Sequence, residues 1–214
     1  MKLLRYAVII VIVLTFGITL ALWPAVPDTI VSHWNAAGDA NGTMAKFWGL
    51  ILIPLIMSIC VGLFMLIPVI DPLRQNYETF RDYYEGFILV FCLYLLAIQL
   101  QLILWNTGFK ISPTLTFPVL AGLLFIYIGF LLGHAEPNWF VGIRTPWTLS
   151  SENVWRKTHL LGGKLFKIAG IISIAGVLAG RYAIWFTIVP VIAVAVYTVV
   201  YSYREFGKEP WKTG

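Results

Sequence analysis

Charge is scarce in this sequence. Asp, Glu, Lys and Arg make up 12% of its 214 residues, where a soluble domain carries about 25%. A chain so poor in charge, with a mean hydropathy of +0.84, takes a bilayer as its main solvent. Cysteine is nearly absent too. Cys60 and Cys92 each lie inside an apolar run, so they read as small buried hydrophobes, with neither a disulfide framework nor zinc-ligand spacing. The metallohydrolase, hydrolase-elbow and phosphate-loop motifs are missing. Thr158 and His159 put a hydroxyl next to an imidazole, but adjacent helix positions point about 100° apart. No enzymatic activity and no cofactor are expected. The net charge of +5 suggests nucleic acid only if the basic residues share one water-facing patch. Here they sit in the gaps between apolar runs, so no direct nucleic-acid contact is expected.

Six apolar runs are long enough to cross a membrane, which takes about 20 residues as a helix. They are Tyr6–Leu22, Phe47–Ile70, Tyr84–Trp105, Leu115–Leu132, Leu165–Gly180 and Ala183–Tyr203. The expected fold is an all-α integral membrane bundle of six helices. Residues 1–82 form a two-span region with an outer loop, and residues 83–214 a four-span region with an inner loop. The last two spans, separated only by Arg181 and Tyr182, form a tight hairpin.

Twelve of the fifteen Lys and Arg residues fall in alternate gaps and tails or at the span ends beside them: Lys2, Arg5, Arg74, Arg81, Arg144, Arg156, Lys157, Lys164, Lys167, Arg204, Lys208 and Lys212. The other three, Lys46, Lys110 and Arg181, fall in the remaining gaps. Basic residues favour the cytoplasmic side, so both termini and the long polar passage Gly142–Gly163 are expected inside the cell. Gly129/Gly133 and Gly176/Gly180, each four apart, suit close helix packing. Pro54 and Pro190 are expected to kink their helices. Gln99 and Gln101 suit interhelical hydrogen bonding. They also motivate the alternative reading, a transporter or exporter of a small or amphipathic molecule.

The outer gap, Trp23–Gly49, contains His33, Trp34, Asn35 and Gly38 in the pattern H-W-N-x-x-G, with a turn signal at Asn41-Gly42. It can serve as a structured cap or a docking surface. A metal held by His33 with Asp28 or Asp39 has too few ligands to be the preferred reading. In the inner gap, Pro146 pushes Thr145 out of helical space, so Arg144–Trp147 reads as extended. Ser150 or Ser151 caps a helix from about Glu152 to Leu161. Trp155 and His159 share a face of it. That helix is expected to lie on the anionic lipid leaflet through Trp155, Arg156 and Lys157, with Gly162-Gly163 as a hinge. Arg144 is either buried against carbonyls or a carboxylate such as Glu136, or part of a recognition surface.

N-x-x-x-G-I-R-T-P-W-T-L (Asn138 to Leu149) and W-R-K-T-H-x-x-G-G (Trp155 to Gly163) together resemble the signature of the SdpI family of bacterial immunity proteins. P-x-x-I-x-x-H-W-N-x-x-G (Pro27 to Gly38) resembles the small membrane domain that often precedes it. The resemblance implies a six-span membrane protein that protects against a secreted peptide toxin of the SdpC kind. It also implies a cytoplasmic transcriptional repressor as a partner held at the membrane. His33, Trp34, Asn35 and Gly38 would then face the toxin. Asn138, Gly142, Arg144, Thr145, Pro146, Trp147, Thr148, Trp155, Thr158 and His159 would form the cytoplasmic face.

Overall fold

A computed structural model describes residues 2–210, the Lys2 side chain excepted. Lys212 and that side chain, both counted in the basic set above, lie outside the described residues. Among the described residues, six helices are long and apolar enough to span a membrane, and the chain is an all-α multi-pass membrane protein. They are α1 (Lys2–Leu22), α2 (Lys46–Ile70), α3 (Tyr77–Asn106), α4 (Pro113–His134), α6 (Glu152–Ala175) and α7 (Trp185–Phe206). A hairpin of β1 (Thr29–Trp34) and β2 (Ala40–Ala45) joins α1 to α2, and a short α5 (Pro146–Ser150) precedes α6. Large apolar side chains such as Leu14, Leu63, Ile192 and Val196 are exposed, as lipid-facing positions are. The described members of the twelve-residue basic set gather towards one end of the bundle, because successive spans alternate in direction.

Lipid is as apolar as leucine, so these helices associate through close packing and polar bonds rather than by hiding apolar surface. The α4–α6 contact shows the first of these. A Cβ on Gly163 would stand 2.6 Å from the Gly129 carbonyl, and one on Gly170 would stand 2.5 Å from the Gly122 carbonyl. The reciprocal distances, from Gly129 and Gly122, are both 2.6 Å. Each glycine is seven residues from its fellow on the same helix, so both pairs lie on one seam where two backbones touch. Gly133 would meet nothing with a Cβ of its own. Gly176 and Gly180 belong to a 3-10 segment, Gly176–Tyr182, that completes the fifth span beyond α6 and leads into α7.

Polar bonds tie the remaining helices together. Gln99 Nε2 donates to Thr19 Oγ1 on α1 and to the Leu50 carbonyl on α2, both at 2.9 Å. Gln101 Nε2 donates to the Ile111 carbonyl at 2.6 Å. Both amides thus hold structure together, and this geometry removes the motive for reading them as a transport path. Glu85 is buried and accepts from Arg5 Nε at 2.8 Å, an α1–α3 link. Ser173 on α6 donates to the Pro118 carbonyl at 2.8 Å. Cys92 is buried, whereas Cys60 is only partly so.

Three expectations need correcting. No separate interfacial helix ends at Gly162-Gly163, for α6 runs unbroken from Glu152 to Ala175. Both glycines are buried packing positions: Gly163 faces Gly129 and Gly133, and a Cβ on Gly162 would meet Ile143 Cδ1 at 2.4 Å. Val154 and Trp155 accordingly point into the protein, at 0% and 1% exposure, rather than towards lipid headgroups. Pro146 and Trp147 are helical, with Pro146 in the first turn of α5; Thr145 before it is extended (φ −112°, ψ 162°). The outer turn falls at Asn35–Asp39, and Asn41-Gly42 lies within β2.

Candidate functional site

The inner motif folds around Asn138. Its Oδ1 accepts from the Phe140 and Val141 amides at 2.9 and 2.6 Å, and its Nδ2 donates to the Glu136 and Val141 carbonyls at 2.9 and 2.8 Å. The Tyr77 hydroxyl sits between Asn138 Oδ1 at 3.1 Å and Asp71 Oδ2 at 3.2 Å, either of which can accept its proton. Asp71 also accepts from the Trp139 amide at 2.9 Å, and Asn76 Nδ2 donates to the Pro137 carbonyl at 2.7 Å. The α2–α3 connection therefore holds the loop that follows α4. Asn138 and Asp71 are only 1% and 2% exposed; a polar group so buried needs these partners.

Both ends of the loop are held by α6. Trp155 Nε1 donates to the Ala135 carbonyl at 2.7 Å. One turn on, His159 Nε2 accepts from the Ile143 amide at 2.9 Å, and Nδ1 lies 2.8 Å from the Trp155 carbonyl. Since Nε2 accepts, Nδ1 carries the proton, which makes the ring a neutral imidazole. The two rings stack at 3.9 Å. Gly142 beside them has φ +124°, and a Cβ there would stand 2.3 Å from His159 Nε2. Only glycine meets both demands.

Thr145 and Thr148 form a reciprocal cap on α5. The Thr145 hydroxyl also meets Ser202 Oγ on α7 at 3.0 Å, and Thr148 Oγ1 donates to the Ile143 carbonyl at 2.8 Å. Ser151 caps α6 and donates to Glu209 Oε1 at 2.6 Å. Hydrogen bonds from Ser151 and Asn153 hold the Glu209 carboxyl below its ordinary pKa. Lys157 pairs with the buried Glu205 at 2.9 Å.

The ten inner residues thus divide. Asn138, Thr145, Thr148, Trp155, Thr158 and His159 are buried, and Gly142 is hemmed in. Arg144 and Pro146 are exposed, Trp147 is half-buried against Tyr203, and the Arg144 guanidinium donates to the Trp139 carbonyl instead of meeting Glu136. Trp139 and Phe140 stand exposed beside this edge. Sequence reading missed Asp71, Tyr77 and Ser202; a carboxylate at the end of an apolar run was the one available signal for Asp71. Thr158 is 0% exposed and its hydroxyl has no partner among the described residues. Thr158→Val keeps the shape and removes that unpaired group. It is expected to hold or raise stability by about 1 kcal/mol, read as the midpoint of unfolding in mixed detergent micelles. A clear loss would mean that the hydroxyl is bonded.

At the opposite end, Asn35 organises the outer turn. Its Oδ1 accepts from the Ala37 and Asp39 amides, each at 2.9 Å, while Gly38 supplies φ +86°. These contacts explain the N-x-x-G spacing. His33 is exposed, with Nδ1 2.6 Å from Asn41 Oδ1. Asp28 lies near Lys46, and Asp39 accepts from Asn35; among the described residues no three His, Cys, Asp or Glu side chains cluster as a metal site would need. Trp34 packs edge-on against Trp105 at 5.3 Å.

Residues 134–202 match the SdpI/YfhL protein family, and residues 10–58 match a domain of unknown function (DUF1648). The chain is similar to "Immunity protein SdpI" of Bacillus subtilis (strain 168), with 27% identity over 201 residues that cover 94% of each protein. No solved structure matches.

Proposed function

The chain belongs to the SdpI/YfhL protein family, and on that footing we propose that it is a cell-membrane immunity protein protecting its host from a secreted peptide toxin. The observation that carries this reading is the similarity to a protein named for immunity across 94% of the length. The basic residues argue for cytoplasmic termini, by the preference of Lys and Arg for that side. His33, Trp34, Asn35 and Gly38 then face outward to meet the toxin. Inside, Arg144, Pro146 and Trp147, with Trp139 and Phe140, form the edge offered to a transcriptional repressor. The buried members of the motif build that edge without touching the partner.

Expression in toxin-sensitive bacteria tests this. Wild type is expected to restore survival. His33→Ala should weaken protection by about fivefold, the worth of one hydrogen bond. Arg144→Ala should leave protection intact and release the repressor from sedimented membranes, because the guanidinium is exposed. Wild type that accumulates in the membrane and protects against no related peptide would overturn the proposal.

A further inference from the structure

Beneath the hairpin, among the outer parts of α2, α3 and α4, lies a cavity of about 570 Å³. That is the size of a small-ligand site, which ranges over about 300–1,000 Å³. Ile53, Ile98, Leu102 and Phe117 give it apolar walls, and Trp34 and Thr114 line it where the hairpin covers it. It reaches down to Tyr94, twelve residues below the outer end of α3 at Asn106, or about 18 Å at 1.5 Å per residue. No Lys, Arg, Asp or Glu lines it. The Trp34 indole N–H is buried with no acceptor among the described residues. A buried donor left unpaired is costly, and a ligand carbonyl would supply the missing partner.

We propose that this cavity binds an uncharged, apolar peptide segment, whose side chains fill the walls and whose backbone carbonyl accepts from Trp34 Nε1. The chemistry selects a peptide over a phospholipid. A phosphate headgroup calls for Lys or Arg, which the lining lacks, and an acyl chain offers the indole nothing to bond. Identifying the segment as part of the toxin rests on the immunity reading; the chemistry of the cavity does not.

The test uses the full chain in nanodiscs of phosphatidylethanolamine and phosphatidylglycerol. Cys60→Ala and Cys92→Ala remove the native thiols, and Ile98→Cys places one in the cavity wall. Thr116→Cys is a second reporter if the first fails to fold. The probe is acetyl-trileucine amide, and the readout is the rate of alkylation by N-ethylmaleimide. The peptide is expected to slow alkylation, and Trp34→Phe to weaken that protection by about fivefold. Lysophosphatidylglycerol at the same concentration should protect far less. A thiol that is not alkylated, no effect of the peptide, or equal protection by the lysolipid would each overturn the site.

Survival separates the two readings. Ile98→Trp, which thrusts a bulky indole into the cavity from its wall, should abolish protection at normal abundance. If wild type protects and Ile98→Trp protects equally well, the cavity does not receive the toxin. If the peptide shields the thiol but wild type confers no survival, the immunity reading fails and the peptide site stands.

Discussion

Gly163→Leu is expected to drive α6 away from α4 and lower stability by about 3 kcal/mol, the upper end of what overpacking usually costs. The atoms that a Cβ would meet belong to the Gly129 and Gly133 backbone, at 2.6, 3.0 and 3.3 Å. A side chain can rotate aside, but a helix backbone in a packed seam moves only as a whole. Gly170→Leu should behave alike, since its Cβ would stand 2.5 Å from the Gly122 carbonyl. Gly17→Leu is the control: a Cβ there meets nothing within 4 Å on an exposed face of α1. Unfolding midpoints in mixed detergent micelles measure all three. If Gly163→Leu matched Gly17→Leu, the close seam would be refuted.

The second large effect is at Trp155. Trp155→Ala removes a side chain that is 1% exposed, a stack on His159 and the bond to the Ala135 carbonyl. A loss of about 3–5 kcal/mol follows for so large a buried aromatic. The damage should concentrate in the inner loop, where hydrogen exchange of the Val141 and Ile143 amides should quicken first. Trp155→Phe separates the contributions: it keeps a ring against His159, loses the indole donor and should cost about 1–3 kcal/mol for the carbonyl left unpaired. A Trp155→Ala protein with unchanged exchange in the loop would contradict the bracing described for α6.

The spans were legible because each is a long run whose hydropathy needs no partner to be recognised. The basic set was legible for the same reason, as it depends only on residue type and gap. Gly162-Gly163 misled because a glycine pair looks like a hinge when read alone; its role lies in Ile143 and Gly129, on other elements. The α4–α6 seam was half visible. Gly129 was noticed, but the seven-residue spacing that matches Gly122 to Gly170 appears only once two antiparallel helices are laid together. In the inner motif, the sequence marks Ser150 or Ser151 as the cap, of which the structure uses Ser151, and puts Trp155 and His159 on one face. That they clamp the two ends of one loop is not legible there, because the acceptor at Ala135 and the donor at Ile143 are main-chain groups that every residue possesses. Outside, Asn41-Gly42 outweighed Asn35 as a turn signal. The Asn35 side chain bonding its own downstream amides then decided where the chain reverses.

The main chain between Ala135 and Thr145 spends much of its bonding capacity inward, on Asn138, Asp71, Asn76, Trp155, His159 and Thr148. Little of that ribbon remains to be extended by a visiting strand. Under the proposed function, a partner would therefore meet this edge through its protruding side chains, Arg144, Trp139 and Phe140.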